Sequence, residues 1–317
     1  MTATDKNAEN IENAGNASSA GNATIALLDG TTIPQLGFGT WQLPGEVAYE
    51  ATLAAIKTGY RHIDTAAIYG NEQEVGQAIA QAIAEGIVAR EDLFVTTKLW
   101  NSDQAKAQEA MELSLEKLGL ERVDLYLLHW PCPGYGKYVQ AWESMIQLRE
   151  AGKTTSIGVC NFYPEALDEL IAVGETPVVN QIEVHPGFAQ DTLRAENQAR
   201  GIHTQAWSPL GQGKVLDNAD IASIAEAHGK TAAQVIIRWH IQRGDIVLPR
   251  SSNAGRIAEN FAVTDFVLDD AQMAAISALD RVTRENGAGA AGATDDSAIA
   301  GRIGPDPKDF NRGTPVE

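Results

Sequence analysis

The sequence is poor in cysteine and in positive charge, and each shortage excludes a class of protein. Cys132 and Cys160 are the two cysteines among 317 residues, too few for a disulfide scaffold and compatible with free thiols in a reducing compartment. Lys and Arg number 24 against 42 Asp and Glu, which gives a formal net charge of -18. Such a charge opposes binding to phosphate backbones and anionic lipid, so we expect neither nucleic acid nor a membrane as partner.

A signal peptide, a long apolar run and a metal-binding motif are missing as well. The first residues have neither a basic start nor an apolar stretch, and no run is long enough to span a bilayer. The six histidines form no H-x-H or H-E-x-x-H pattern, so no metal site is expected. By default we expect a cytoplasmic location and, because no long apolar surface segment requires a partner, a monomer.

The two ends of the chain differ in composition from the rest. Residues 1–23 contain hardly any large apolar side chain and cannot offset the entropy lost on ordering. A Gly- and Ala-rich stretch at 287–293 leads into a polar ending. We therefore predict a disordered tail over 1–23, one ordered domain over 24–282 and a flexible C-terminal segment over 283–317. This segment either packs near the pocket, where Arg302 or Lys308 would meet an anionic substrate, or is solvated, the interpretation we favour.

Within the ordered domain, short apolar runs alternate with helical patterns. The runs are QLGFG at 35, RHID at 61, LFVTTK at 93, VDLYLLHW at 123, TTSIGV at 154, VVNQIE at 178, IHTQAW at 202 and DIVLPR at 245. The segments between them repeat apolar residues at helical spacing and often end in Gly. Eight such β-then-α units without a compositional break predict a single (β/α)8 TIM barrel with a disordered N-terminal tail and an extended C-terminal segment.

Polar or aromatic side chains stand where each of these runs stops, and in such barrels the working residues gather at that end of the strands. Each one alone has an ordinary explanation, such as packing for a Trp or helix capping for an Asp. Tyr, Lys, Asp and His from three neighbouring strands together solve one chemical problem, the reduction of a carbonyl. The residues at the strand ends are Trp41, Asp64, Tyr69, Lys98, Trp100, His129, Trp130, Asn161, Gln181, Trp207 and Arg250.

Carbonyl reduction requires a proton donor and oriented dipoles where negative charge develops on oxygen. Tyr69 is the candidate donor, because a nearby Lys98 ammonium lowers the pKa of the phenol by favouring the phenolate. Asp64 would hold Lys98 in place and keep it charged. His129 would point the carbonyl at Tyr69 as a neutral hydrogen-bond donor, and it is the fallback proton donor.

Five motifs together resemble those of the aldo-keto reductase family: HIDTAAIYGNE at 62–72, TTKLWN at 96–101, LHWP at 128–131, NQIEVHP at 180–186 and WSPLGQG at 207–213. The resemblance covers the chain from about residue 25 to residue 281. It implies a barrel enzyme with Asp64, Tyr69, Lys98 and His129 as its catalytic tetrad. Within the family the chain is most similar to bacterial 2,5-diketo-D-gluconate reductases. The implied activity is an NADPH-dependent reduction of aldehydes or ketones, with 2,5-diketo-D-gluconate and methylglyoxal as candidate substrates.

The cofactor is expected to be held without a Gly-rich phosphate loop, because neither the Rossmann nor the P-loop pattern is present. The resemblance implies that Asn161 and Gln181 bond the carboxamide, that Trp207 stacks on the nicotinamide ring and that the segment 248–260 holds the 2'-phosphate. Guanidiniums, hydroxyls and a helix start suit such a dianion. The implied cofactor-binding residues are Asn161, Gln181, Trp207, Ser208, Leu210, Gln212, Arg250, Ser251, Asn253, Arg256, Glu259 and Asn260. The implied substrate-binding residues are Trp41, Ile68, Trp100, His129 and Trp130.

Two positions depart from the family pattern, and two alternatives stay open. The family usually has Lys in place of Arg250, which exchanges a point charge for a planar fork, and Ser in place of Cys160, whose thiol is the weaker donor. A non-catalytic NADPH sensor or regulatory subunit on the same fold is the alternative function, since fold and cofactor site do not prove turnover. The thiols of Cys132 and Cys160 either tune activity by oxidation or are buried spectators, the interpretation we favour.

Overall fold

The protein is described by a computed structural model over residues 23–285 and 301–315. The tail predicted over 1–23 lies outside the described residues apart from Ala23, and so does the Gly- and Ala-rich stretch at 287–293. Two short strands, β1 (Thr24–Ala26) and β2 (Thr32–Pro34), pair antiparallel before the main sheet begins.

Eight parallel strands follow, and their order in the sheet is their order along the chain. The backbone N–H of Val247 donates to the Gln35 carbonyl at 2.8 Å, and the Val247 carbonyl accepts the backbone N–H of Gly37 at 2.9 Å. The last strand therefore lies beside the chain at the first strand and closes the barrel. The predicted barrel with its eight strands is confirmed. The strands are β3 (Phe38–Gly39), β4 (His62–Asp64), β5 (Phe94–Leu99), β6 (Val123–Leu128), β7 (Thr154–Cys160), β8 (Val179–Glu183), β9 (His203–Trp207) and β10 (Ile246–Val247).

Helices connect these strands on the outside of the barrel. One α-helix follows each strand from β3 to β8, two follow β9, and two follow β10. None of the helices in the described ranges is long and apolar enough to cross a membrane. The helices are α1 (Gly45–Thr58), α2 (Glu72–Ala84), α3 (Ala107–Leu118), α4 (Tyr138–Glu150), α5 (Pro164–Ala172), α6 (Asp191–Ala199), α7 (Ala219–His228), α8 (Ala232–Gln242), α9 (Ala254–Phe261) and α10 (Asp270–Glu285).

Helix α2 illustrates how the helical spacing of the sequence becomes packing. Val75, Ile79 and Ala82 fall on one face of the helix and are buried, and burial of Val75 and Ile79 contributes about 1.5–3 kcal/mol each. A Cβ at Gly76 would lie 2.3 Å from the carbonyl oxygen of Leu118. Glycine is therefore required where α2 crosses the end of α3.

The hairpin β1–β2 closes the end of the barrel at which the strands begin. Leu27 and Ile33 pack in one cluster with the barrel-interior residues Phe94, Leu125 and Leu127. This hairpin was not predicted from the sequence, although an Asp-Gly pair at 29–30 is a common turn signal. The opposite end of the barrel, where the strands end, is left as the accessible one.

Residues 301–315, here named the mouth segment, lie across that accessible end. The Glu183 carboxylate accepts the backbone N–H of Ile303 at 2.6 Å and of Gly304 at 2.8 Å. The ring of Phe310 packs against Trp130 with centroids 4.3 Å apart. The interpretation of the ending as solvated is therefore wrong for this part, and the alternative in which it packs near the pocket describes it.

Candidate active site

The ends of the strands open into a cavity of about 1040 Å³. All but two of the residues predicted for the site line it; Lys98 lies buried below Tyr69, and Asn253 caps the start of α9. The predicted residues that line the cavity are Trp41, Asp64, Ile68, Tyr69, Trp100, His129, Trp130, Asn161, Gln181, Trp207, Ser208, Leu210, Gln212, Arg250, Ser251, Arg256, Glu259 and Asn260.

Lys98 is the centre of the predicted catalytic cluster and is fully buried. Strands β4 and β5 are neighbours, so Asp64 at the end of β4 and Lys98 near the end of β5 both reach the barrel axis. The Lys98 ammonium donates to Asp64 Oδ1 at 2.6 Å, to the Thr65 carbonyl at 2.7 Å and to Tyr69 Oη at 3.3 Å. An ammonium has three protons, and each has a partner here.

Burial decides the protonation states of this cluster. It raises the pKa of Tyr69 to about 12 and outweighs the nearby Lys98, which acts in the opposite direction. The predicted effect of the ammonium is therefore present but is not the larger one, and the phenol keeps its proton at neutral pH. Burial alone would lower the pKa of Lys98, but Asp64 and Tyr69 hold it above its ordinary value, so the ammonium stays charged.

His129 is neutral at this site. Burial, and after it the charge of Lys98, places the pKa of His129 well below its usual range. Its ring stands edge-on to Tyr69 with centroids 5.9 Å apart and edge-on to Trp100 at 5.1 Å. Its buried Nδ1 atom has no hydrogen-bond partner within the part of the chain that the structure describes. His129 lines the cavity, and a neutral imidazole there has the capacity to bond a substrate oxygen through a ring nitrogen that faces the cavity.

The two amides predicted to hold the carboxamide are hydrogen-bonded to residues of the predicted catalytic tetrad. Asn161 has a left-handed φ of 62°; its Nδ2 donates to the His129 carbonyl at 3.2 Å, and its Oδ1 accepts from Trp207 Nε1 at 2.9 Å. Gln181 Nε2 donates to Asp64 Oδ2 at 2.8 Å. These links, which sequence reasoning missed, fix the amides and the indole in relation to the tetrad.

The far end of the cavity carries two guanidiniums at the start of α9. Burial lowers the pKa of Arg250, and so does the like charge of the neighbouring Arg256. The two guanidiniums are therefore close enough to interact. Among the residues of the two described ranges, neither forms an ion pair with a carboxylate. Asn253 Oδ1 accepts the backbone N–H of Arg256 at 3.0 Å as the helix cap. Two unpaired guanidiniums at a helix start form a site suited to a dianion.

Both cysteines are buried free thiols. Burial raises the pKa of Cys132 to about 12, and burial raises the pKa of Cys160 as well, against the opposing effect of Lys98. Protonated, inaccessible thiols are poor nucleophiles and react slowly with oxidants, as expected for spectators. No group of three or more His, Cys, Asp and Glu in the described ranges is arranged to hold a metal ion.

The residues by which the mouth segment lines the cavity, and the anchor of the segment, were not predicted from the sequence. Ile303, Gly304, Pro305, Phe310 and Arg312 line the cavity beside the predicted substrate residues. A signal was present in the NQIEVHP motif, because an acidic side chain at the end of a buried strand requires a partner. That acid is Glu183, which holds the segment.

Comparison with known proteins gives concordant matches. The model of the aldo/keto reductase family matches residues 35–281. The methylglyoxal reductase DkgA of Escherichia coli strain K12 is 46% identical over 289 residues, which are 90% of this chain and 97% of that protein. A solved aldo/keto reductase from Brucella melitensis is 48% identical with a TM-score of 0.78 and covers 82% of this chain and 100% of its own. The Bombyx mori aldo-keto reductase, solved in complex with NADP, is 39% identical with a TM-score of 0.77 and covers 81% of this chain and 92% of its own.

Proposed function

This chain belongs to the aldo/keto reductase family, and we propose that it reduces an aldehyde or ketone to the alcohol with NADPH and with Tyr69 as proton donor. It is an oxidoreductase of the class that interconverts a carbonyl group and the CH–OH group of the corresponding alcohol. The observation that carries the proposal is the buried Lys98 ammonium, 3.3 Å from Tyr69 Oη and 2.6 Å from Asp64 Oδ1, directly below the cavity.

The residues present fit NADPH. Trp207 offers the cavity an indole surface for a flat ring, and Asn161 and Gln181 stand beside it, each anchored to the tetrad. Arg250 and Arg256 provide charge for a phosphate at the other end. The Bombyx mori relative was solved in complex with NADP, which supports the assignment. When bound, NADPH supplies the hydride to the carbonyl carbon.

Tyr69 and its neighbours supply the proton. As negative charge develops on the substrate oxygen, Tyr69 Oη donates its proton to that oxygen, and the Lys98 ammonium stabilises the phenolate that results. Asp64 keeps the ammonium oriented, and its buried carboxylate is itself bonded by Gln181. The neutral His129 ring holds the carbonyl oxygen toward Tyr69. The phenolate then regains a proton from water.

The pocket supports small carbonyl compounds as substrates. Trp41, Ile68, Trp100 and Trp130 line it, and Phe310 of the mouth segment closes its side. Such walls exclude water and give the carbonyl a low-dielectric environment. Methylglyoxal is the first candidate, because a relative named methylglyoxal reductase is 46% identical over 90% of this chain. The candidate 2,5-diketo-D-gluconate differs from it in size and in carrying a carboxylate.

The test is the loss of reduced-nicotinamide absorbance by the purified protein, with NADPH and NADH in parallel. Methylglyoxal, 2,5-diketo-D-gluconate and simple aldehydes are the substrates, and Tyr69→Phe is the control. We expect NADPH consumption that the substitution abolishes. Tight NADPH binding without turnover on any of these carbonyls would instead support a sensor or regulatory subunit, the alternative function.

A further inference from the structure

Tyr69 lies in a short loop between the end of β4 and the start of α2, and the two ends of that loop are joined by side chains. We propose that Asn71 and Thr65 are positioning residues that hold the Tyr69 phenol on Lys98 by closing the neck of this loop. The proposal deepens the proposed function and rests on it, since it concerns the proton donor assigned there.

The loop has little of its own to fix it to the barrel. Its internal backbone bonds run from Tyr69 N to the Ala66 carbonyl at 3.0 Å and from Gly70 N to the Ala67 carbonyl at 3.3 Å. These bonds shape the turn, but they join the loop only to itself. Ile68, beside the phenol, is 48% exposed. The position of the loop is therefore set where it enters and leaves the fold.

The neck consists of Thr65 and Asn71, both fully buried. Thr65 Oγ1 donates to Asn71 Oδ1 at 2.8 Å, and Asn71 Nδ2 donates to the carbonyls of Thr40 at 2.9 Å and Leu43 at 2.8 Å. The Asn71 side chain thus uses both of its N–H donors and its acceptor. It joins the exit of the loop to its entrance and to the chain that follows β3.

The neck also contacts the ammonium that the phenol needs. The Thr65 carbonyl accepts from Lys98 Nζ at 2.7 Å, and Thr65 N donates to the Thr96 carbonyl at 2.9 Å. Lys98 Nζ in turn reaches Tyr69 Oη at 3.3 Å. A closed path therefore runs from the phenol through Lys98, Thr65 and Asn71 back to the loop. Opening the neck removes the side-chain link that closes this path.

The next residue extends the same tie to the strand that carries the lysine. Glu72 begins α2 and is buried, and its Oε1 accepts from Thr97 Oγ1 at 2.6 Å. Thr97 precedes Lys98 on β5. Two consecutive residues after the loop, Asn71 and Glu72, are thus attached to the elements that hold Asp64 and Lys98. This arrangement suits a proton donor whose distance from the ammonium must not vary.

The expected consequence concerns turnover and not cofactor affinity. The contact of 3.3 Å between Lys98 and Tyr69 is already long for a hydrogen bond to a charged donor, and such bonds weaken steeply with further separation. Misplacement of a reacting group by about 1 Å can lower a rate by about 100-fold. The groups proposed to hold NADPH, such as Trp207 and Arg256, lie on other elements, so opening the neck leaves them in place.

The test is Thr65→Val, which removes the hydroxyl donor but keeps the shape and the backbone atoms that contact Lys98 and Thr96. We expect kcat to fall about 10-fold while the Kd for NADPH changes by less than about two-fold. The solvent deuterium isotope effect on kcat should rise, because proton transfer becomes slower. Thr65→Ser, which restores the hydroxyl, should recover kcat.

A matched control separates positioning from simple stabilisation. Thr154 is buried at the start of β7, and its hydroxyl donates to the Ser156 carbonyl at 2.8 Å, at the other end of the barrel. Thr154→Val makes the same chemical change there and should lower the melting temperature without changing kcat or the isotope effect. If Thr65→Val behaves like this control, the proposal is wrong.

A second variant keeps the test decisive should Thr65→Val fail to fold. Asn71→Asp retains the acceptor for Thr65 but loses both donors to Thr40 and Leu43, and it should lower kcat in the same way. A folded Asn71→Asp protein with unchanged kcat overturns the proposal. Tyr69→Phe, measured in parallel, tests the proposed function itself. Full turnover in that variant would show that Tyr69 is not the proton donor, independently of the result for Thr65 and Asn71.

Discussion

The proposed catalytic corner, formed by Asp64, Tyr69 and Lys98, and the mouth segment over residues 301–315 lie at the same cavity but are held in different ways. Asp64 and Lys98 lie buried on adjacent strands, Tyr69 lies on the loop that follows β4, and the ammonium has three partners in the barrel. The mouth segment is held by the Glu183 carboxylate and by ring packing of Phe310 on Trp130. Two hydrogen bonds to loops at the same end of the barrel add to these contacts, from Asn101 Nδ2 to the Arg312 carbonyl at 2.8 Å and from Gly134 N to Asn311 Oδ1 at 2.7 Å. The proposed chemistry thus depends mainly on buried strand residues, whereas one wall of the pocket is formed by a segment without regular secondary structure.

This difference separates the reaction from the choice of substrate. Removing one partner of a buried ion pair leaves an uncompensated charge and destabilises the fold by about 3–5 kcal/mol, so the corner tolerates little change. A segment without regular secondary structure that lies on the outside of the barrel can open locally without unfolding the barrel. Substitutions in the corner should therefore change the rate with every carbonyl, and those in the segment should change it selectively.

The largest expected effect is that of Tyr69→Phe, which removes the proton donor and leaves the ring. General acid catalysis is worth about 100- to 10,000-fold, so kcat should fall by that order for every carbonyl tested. The Kd for NADPH, followed by fluorescence quenching, should stay the same. Tryptic cleavage of the mouth segment should be unchanged as well, because Phe310 and Glu183 are untouched. A loss restricted to one substrate would contradict the separation of the two regions.

Arg256→Ala affects the end of the cavity that lies outside both regions. Losing a charge-assisted contact to a 2'-phosphate should weaken NADPH about 10- to 100-fold and leave NADH nearly unchanged, as measured by the Kd of each cofactor. Arg312→Ala is the matched control, because Arg312 lines the same cavity but belongs to the mouth segment. Equal losses of NADPH and NADH affinity in Arg256→Ala would show that Arg256 does not contact the 2'-phosphate.

The residues of the corner could be brought together from the sequence because they belong to two short motifs at the ends of neighbouring strands. The sequence did not reveal that burial raises the pKa of Tyr69 to about 12 against the effect of Lys98, since burial depends on everything packed around the ring. The family resemblance predicts the cofactor residues, but no sequence pattern indicates the bond from Gln181 to Asp64, which joins residues 117 positions apart.

The sequence left the packing of the mouth segment as one of two alternatives, because its anchor also joins residues far apart in the chain. Its anchor joins Glu183 to Ile303 across 120 positions, and it uses the backbone N–H of Ile303, a group that every residue except proline carries. Helical and strand periodicity report contacts within an element, so a segment without regular structure leaves no pattern. The eight strands and most of the helices have such patterns, so the barrel could be predicted from the sequence, whereas the packing of the mouth segment could not.

Glu183→Gln should loosen the mouth segment, because the new amide keeps one acceptor oxygen but presents N–H donors to the backbone N–H of either Ile303 or Gly304. Hydrogen bonds to a charged group are worth about 1.5–3 kcal/mol, so KM for the large 2,5-diketo-D-gluconate should rise about 10-fold. The kcat with methylglyoxal should change less, and trypsin should cleave the segment faster.

The control for that substitution is Glu175→Gln, the same change in a half-buried ion pair with Arg149, which should leave both KM and proteolysis as they are. Equal loss of activity toward both carbonyls in Glu183→Gln would mean that the segment supports the chemistry itself. The separation of the two regions would then not hold.

The smallest expected effect is that of Phe310→Ala, which removes the ring packed 4.3 Å from Trp130 but leaves the Glu183 anchor intact. An aromatic pair contributes about 0.5–1.5 kcal/mol beyond its buried area, so KM for bulky carbonyls should rise by about three- to ten-fold. Methylglyoxal, too small to fill the pocket, should show an unchanged KM, and kcat should stay constant for both. A fall in kcat with methylglyoxal would show that Phe310 affects Tyr69 through Trp130 and His129, which would join the two regions into one unit.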